Sequence, residues 1–288
     1  MLFKKSCKIL IFLFFFAVSS VSGQSRGAIF DGETYDTLPR KAGEPASYAE
    51  LPFSVSLKQF APLPGDQDDY GTCVAWAAAY AARTISESVA LNRRNQSETT
   101  QNAFSPVFVY RIIMPDDPGG MRGTQIYSAL DMLRDTGAVR MAEIERFSSF
   151  SRVDLSHFRK SRNYPIAGYV TLFSREDNRK PALVIRAVKR SLAEGKPVII
   201  GMNTPNSFID AKIMWEPREN PEVFYGGHAV CVIGYDDNKY NGAFEIQNSW
   251  GRKWGNGGFI WIPYKTFTDF VVEGYEIIEN PSVFNEAD

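Results

Sequence analysis

Cysteine and histidine are scarce in this chain, with three of the first and two of the second among 288 residues. So few cysteines exclude a disulfide framework as the source of stability. So few histidines, with no HExxH or CxxC spacing anywhere, argue against a metal site, and no cofactor is expected. Basic runs are missing as well. The formal net charge is −1, and the short "LNRRN" stretch reads as a solvated helix end. Nucleic acid and anionic membrane surfaces are therefore not expected partners. With 44% hydrophobic and 23% charged residues, the chain can bury a large core and is not disordered.

The N-terminus places Lys4, Lys5 and Lys8 before the apolar run Ile9 to Val18, followed by small residues up to Gly23. This pattern predicts a signal peptide over residues 1–23 and export to the periplasm or the cell exterior. The alternative, a membrane anchor, needs about 20 apolar residues, roughly twice what is there. No later segment reads as transmembrane. Removing residues 1–23 takes Cys7 away and leaves Cys73 and Cys231.

Residues 24–50 are polar and read as a short leader, and one domain is expected over 51–288. Leu51 to Pro64, "LPFSVSLKQFAPLP", reads as an ordered extended segment. An Ala-rich helix is predicted over 73–91. A second helix starts in 104–114 with Ser105 as cap and Pro106 at its first position. A third lies within 123–139, with Ile126, Ala129, Leu130 and Leu133 on one face and Gly137 as its stop. Beyond these, "RKPALVIRAVKRSLAEG" is a helix ended by Gly195, and "KPVIIGMN" a strand. The runs at 228–236, 243–250 and 258–263 are short strands between Asp, Asn and Gly turns. A helical lobe over about 65–160 followed by a β-rich lobe over about 161–288 reads as α+β.

Cys73 stands in "QDDYGTCVAW", where a Gly-containing turn gives way to the Ala-rich helix. A lone cysteine there is by itself usually a small buried hydrophobe. A nucleophilic cysteine, however, needs its thiolate favoured, and a helix start and a nearby imidazolium both do that. The imidazole in turn needs an orienting partner. His228 in "GGHAVCVIGYD" and Asn248 in "QNSWGRKWGNGGF" supply one candidate for each role.

These three pieces, "QDDYGTCVAWAAAYA", "GGHAVCVIGYDD" and "FEIQNSWGRKWGNGGFIWI", resemble the papain-like cysteine peptidases, in a bacterial branch of that family. The resemblance covers roughly residues 50–270. It implies a two-lobe fold with a helical N-terminal lobe, an antiparallel β-barrel-like C-terminal lobe and a cleft between them. It implies Cys73 as nucleophile, His228 as general base and acid, and Asn248 as the residue orienting His228. It also implies Gln67 as an oxyanion-hole side chain and Trp250 as a shield over the Asn–His hydrogen bond. The expected partner is a peptide or protein substrate. An acyltransferase or amidase of the same fold, and a non-catalytic binding protein retaining it, are the competing readings.

The sequence departs from the plant and lysosomal pattern, because Tyr70 replaces the first cysteine of that motif and Val74 follows Cys73. His228 and Asn248 also lie further from Cys73 than the usual spacing of about 130–150 residues. The excess is expected as surface insertions around 206–223. The leader is too short for the family's helical pro-domain, so any latency needs the leader itself, a partner or redox state. Cys231 reads as a buried strand residue and His157 as a surface or interlobe histidine. Gly119, Gly120 and Gly123 are either a backbone-binding stretch for substrate or a turn needing positive φ.

Overall fold

The structure is a computed structural model, and it describes residues 25–42, 50–144, 152–174, 176–177 and 180–284. The signal-peptide assignment, Cys7 and part of the leader lie outside the described residues.

Helix α2 (Cys73–Ala75) runs straight on through a π-helical stretch (Trp76–Arg83) into α3 (Thr84–Ala90). The predicted helix is therefore present, but its middle is wound more widely than an α-helix. Every residue from Cys73 to Ser88 is buried. The alanines make this possible, since a helix with so little side-chain bulk can lie deep between neighbours. It packs on α5 (Pro106–Ile113), α6 (Ile126–Asp135) and the central strand β4 (Gly227–Asp236). The Ser105 hydroxyl accepts from the Phe108 N–H at 3.2 Å with Pro106 following, which caps α5 as expected. In α6, Ile126, Ala129, Leu130 and Leu133 are all buried.

Among the described residues one antiparallel sheet runs β2–β7–β3–β4–β5–β6, with β1 added to β4. These strands are β1 (Ser54–Ser56), β2 (Gly168–Thr171), β3 (Val198–Asn203), β4 (Gly227–Asp236), β5 (Ala243–Gln247), β6 (Phe259–Pro263) and β7 (Val271–Ile278). Strand β4 is buried along nearly its whole length because it is central. Helix α8 (Pro181–Ala193) lays Val184, Val188 and Leu192 inward, and Gly195, with φ +76°, closes it. The architecture is α+β, with helices followed by an antiparallel sheet.

Three features differ from the sequence reading. Strands β2 and β7 and helix α1 (Gly32–Thr37) were not expected. The leader is not merely extended: its Tyr35 is buried, and its hydroxyl donates to the Phe173 carbonyl at 2.7 Å. Nor is 206–223 simply a surface insertion. Phe208 is fully buried and packs edge-on against Trp215 and Trp250. An apolar ring of that size is worth more inside than in water, so the segment folds back onto the sheet.

Candidate active site

The antiparallel pairing of β4 with β5 places Cys231 opposite Gln247. Continuing that register brings His228 beside Asn248 and Trp250. The His228 Nε2 and Asn248 Oδ1 are 2.8 Å apart, and the Ser249 N–H donates to the same oxygen at 2.8 Å. A backbone donor can only meet the amide oxygen, so Nε2 is the ring nitrogen that carries the proton. The other nitrogen, Nδ1, is buried without a hydrogen-bond partner. It is the basic nitrogen of this tautomer. Trp250 stacks on the imidazole at 4.5 Å between ring centroids, and Phe208 stands edge-on to it at 6.1 Å. Both rings keep water from the His–Asn bond.

Cys73 opens α2, with Thr72 before it. Its thiol is fully buried, and the backbone N–H groups of Ala229, Gly27, Val74 and Cys73 itself favour its thiolate. Ala229 follows His228, so the helix start and β4 meet at this point. Burial pushes the Cys73 thiol up to about 11 against these donors. Burial also pushes His228 down to about 4, opposed by the bond to Asn248 and assisted by the nearby Arg26 charge. Both groups are therefore neutral as they stand. The ion pair that the sequence suggests is not favoured in this arrangement.

Gln67 is buried and held at both ends. Its backbone N–H donates to the Ser249 carbonyl at 2.8 Å, and its Oε1 accepts from the Ser249 hydroxyl at 2.6 Å. Its Nε2 donates to the Tyr70 carbonyl at 2.7 Å and to the Ser25 carbonyl at 3.1 Å. Ser249 has no distinct sequence signal of its own. Its role exists only because the Gln67 loop crosses the end of β5.

The leader explains why the site is so deeply buried. Residues 25–30 lie across Cys73. Ala28 donates to the Gly227 carbonyl at 3.0 Å, and Ile29 donates to the Thr124 carbonyl at 3.0 Å. Thr124 in turn donates to the Gly27 carbonyl at 2.8 Å. A Cβ on Gly27 would lie 2.2 Å from the Gly71 carbonyl oxygen, and one on Gly123 would lie 2.3 Å from the Gly27 oxygen. Glycine is required at both because two backbones touch there. Of the glycines singled out in the sequence, Gly123 is the one that meets the leader. Gly120 has φ +66° and shapes the preceding turn. Trp76 packs on Tyr80 and over Gly65, away from His228. His157 is a cap: its Nδ1 lies 2.9 Å from the Asp154 carboxylate. Among the described residues no cluster of His, Cys, Asp or Glu could hold a metal ion.

Residues 64–275 match the family model of the papain family cysteine proteases. The chain belongs to that family. An uncharacterized peptidase C1-like protein of Acanthamoeba polyphaga mimivirus is 28% identical over 71% of this chain and 65% of its own length. Cathepsin K of Gallus gallus is 35% identical over 30% of this chain and 24% of its own. The matched stretch is thus less than two thirds of either relative. Among solved structures, xylellain, a cysteine protease from Xylella fastidiosa, superposes with a TM-score of 0.70 at 22% identity. That match covers 90% of this chain and 97% of xylellain. At that identity the likeness establishes the two-lobe fold and no more.

Proposed function

We propose that this papain-family chain is an exported thiol peptidase that hydrolyses peptide bonds through Cys73, His228 and Asn248, and that it is held latent by its own leader. The observation that carries the reading is the His228–Asn248 hydrogen bond under Trp250, with Nδ1 left bare, on the strand whose next residue, Ala229, adjoins the helix-start cysteine. Export rests on the sequence of residues 1–23. Among the described residues no helix is long and apolar enough to cross a membrane.

In the closed state the Gly27 N–H of the leader lies beside the thiol and favours its thiolate without overcoming the effect of burial. Gln67 Nε2 is engaged by the Ser25 carbonyl. Displacing residues 25–30 returns water to the site, removes Arg26, and frees the Gln67 Nε2 N–H held by Ser25, while the Tyr70 carbonyl keeps the other. The desolvation that keeps both groups neutral is then relieved, so the Cys73 proton passes to His228 Nδ1. The thiolate sulfur attacks a peptide carbonyl carbon. The oxyanion accepts from Gln67 Nε2 and from the Cys73 N–H, which has no intrahelical acceptor at the helix start. His228 gives its Nδ1 proton to the leaving amine, and the C–N bond breaks. Water, deprotonated by His228, then attacks the thioester. The acid product leaves and the thiol is restored.

The test is hydrolysis of a fluorogenic peptide pool by the protein with its leader unseated, beside the same protein carrying Cys73→Ala. The proposal expects turnover only with Cys73 present, and water rather than an added amine as the acceptor. Turnover that survives Cys73→Ala contradicts the assignment. Products carrying the added amine would instead identify an acyltransferase.

A further inference from the structure

The turn before Cys73 and the loop that grips the leader at Thr124 lie against each other. The Gly71 N–H donates to the Gly120 carbonyl at 2.7 Å. A Cβ on Gly71 would lie 3.0 Å from the carbonyl oxygens of Met121 and Arg122. Cys73 and Cys231 are both free, so among the described residues no disulfide ties the two segments. Their alignment has to come from polar contacts and packing.

Asp117 is the hub of those contacts. It is buried, and its Oδ2 accepts from the Tyr110 hydroxyl and from the Arg122 N–H, each at 2.7 Å. The Tyr110 hydroxyl also meets the Arg122 carbonyl, and Tyr110 itself is fully buried on α5. The Asp117 carbonyl accepts from the Gly120 N–H and from Arg111 Nη1, both at 3.1 Å. Burial opposes a charge on the carboxyl, yet the Tyr110 hydroxyl and the Arg122 N–H hold it below the usual carboxylate range. One ionised side chain therefore anchors the loop to α5 at Tyr110. Arg122 lies two residues before Thr124, whose N–H and carbonyl hold Gly27 and Ile29 of the leader. Gly120 lies on the same loop and holds the turn before the cysteine.

We infer that Asp117 is a positioning residue for the peptidase reaction, holding the Thr124 backbone and the Gly71 turn in register with Cys73. The inference rests on the peptidase reading and extends it. When the leader leaves, the N–H and carbonyl of Thr124 face an extended peptide in place of Gly27 and Ile29. They orient that peptide over the thiol only if the loop itself is fixed. Without the carboxylate, the Arg122 N–H and the Tyr110 hydroxyl lose a charged acceptor, and the loop loses its anchor to α5. Because the same loop grips the leader, latency and substrate binding depend on the same side chain.

The test compares Asp117→Ala with Asp117→Asn, each in the intact chain and in the chain opened by Gly27→Val. Opening is verified by labelling of Cys73 with iodoacetamide. Tyr110 and Arg122 donate to one oxygen, so asparagine can keep both bonds and alanine neither. In the opened chain, Asp117→Ala should raise KM for a cleaved fluorogenic peptide roughly tenfold or more, the scale of one charge-assisted hydrogen bond, with a smaller change in kcat. Asp117→Asn should recover most of that loss. In the intact chain, Asp117→Ala should speed Cys73 labelling and Asp117→Asn should not. Tyr110→Phe keeps the core filled and removes the hydroxyl, so it should shift KM in the same direction even if Asp117→Ala does not fold. If Asp117→Ala and Tyr110→Phe leave KM unchanged, or if asparagine is as impaired as alanine, Asp117 does not position the loop and the peptidase reading stands. If Cys73 of the opened parent is labelled and no peptide is cleaved, the peptidase reading fails and this inference falls with it.

Discussion

Gln67 shows how much a single side chain is constrained here. Ser249 holds its oxygen, so its Nε2 is aimed before any substrate arrives. Such preorganisation matters more to the transition state than to the bound substrate. In the opened enzyme, Gln67→Ala should lower kcat by about 10²–10³-fold, with a smaller effect on KM. Steady-state kinetics separate the two, and an effect confined to KM would contradict the oxyanion role.

Glu273 makes a second prediction at this scale. Burial raises it to about 7; the Tyr275 hydroxyl opposes the rise, and the Asp31 and Asp36 carboxylates add to it. The closed fold therefore binds a proton that the unfolded chain has already lost above its ordinary pKa of about 4.3. Stability from this group is fully present below that value and is lost as pH rises toward about 7. His228 acts in the opposite sense, since its lowered pKa of about 4 removes stability as pH falls below its ordinary value. The two slopes overlap, so the wild-type profile alone does not isolate either. The difference between wild type and Glu273→Gln does. Denaturant unfolding should show the variant gaining on wild type by up to about 3 kcal/mol between acid and mildly alkaline pH. A difference independent of pH would contradict the assignment.

Much of the candidate site was legible only in context. Cys73, His228, Asn248 and Gln67 have ordinary uses as single residues, and each stands out because it sits in a distinctive local string. Ser249, Phe208 and Glu273 could not be read in this way. Their roles depend on which strand lies opposite which, and a serine, a phenylalanine or a glutamate in a strand or loop is too common to signal it.

At the scale of elements, the plug formed by residues 25–30 and the segment around Phe208 are, with α1, β2 and β7, what the sequence did not announce. Both are short, polar or irregular stretches without periodicity, and their order comes from the surfaces they cover. The helices at 104–114 and 123–139, by contrast, announce themselves by caps and by apolar spacing. The plug is fitted through backbone contact, so its weak point is Gly27. Valine there would drive side-chain carbons into the Gly71 backbone, beside the helix that opens with Cys73. Gly27→Val should therefore raise peptide turnover above that of the wild-type chain. An equally latent variant would mean that the plug is not what restrains the enzyme. Phe208→Ala should cost about 3–5 kcal/mol, as expected for a large ring removed from a closed core. Urea unfolding measures this loss, and a cost below about 1 kcal/mol would show that the segment is loosely held.

For the whole molecule, the leader is both plug and strap. Beyond the plug, Lys41 bridges Glu194 at 2.6 Å and Glu276 at 2.7 Å, and Tyr35 is sunk against Phe173. These anchors hold the plug across the cleft between the helical half, which carries Cys73, and the sheet, which carries His228 and Asn248. The two-lobe organisation follows from the order of elements along the chain. The closed cleft could not be foreseen, because it depends on a polar segment folding back over both lobes.

The most direct measurement is alkylation by iodoacetamide between about pH 4 and 9, read for each cysteine by mass spectrometry, in the wild-type chain and in Gly27→Val. Cys73 of the wild type should stay unreactive across that range, since burial holds its thiol up at about 11. Cys231, fully buried and pushed up by burial, should be silent in both proteins. In Gly27→Val, Cys73 should react well below neutral pH, as an imidazolium-paired thiolate does. A wild-type Cys73 that already reacts in acid, or an opened one that reacts only near the ordinary thiol pKa of about 8.5, would contradict the proposed mechanism.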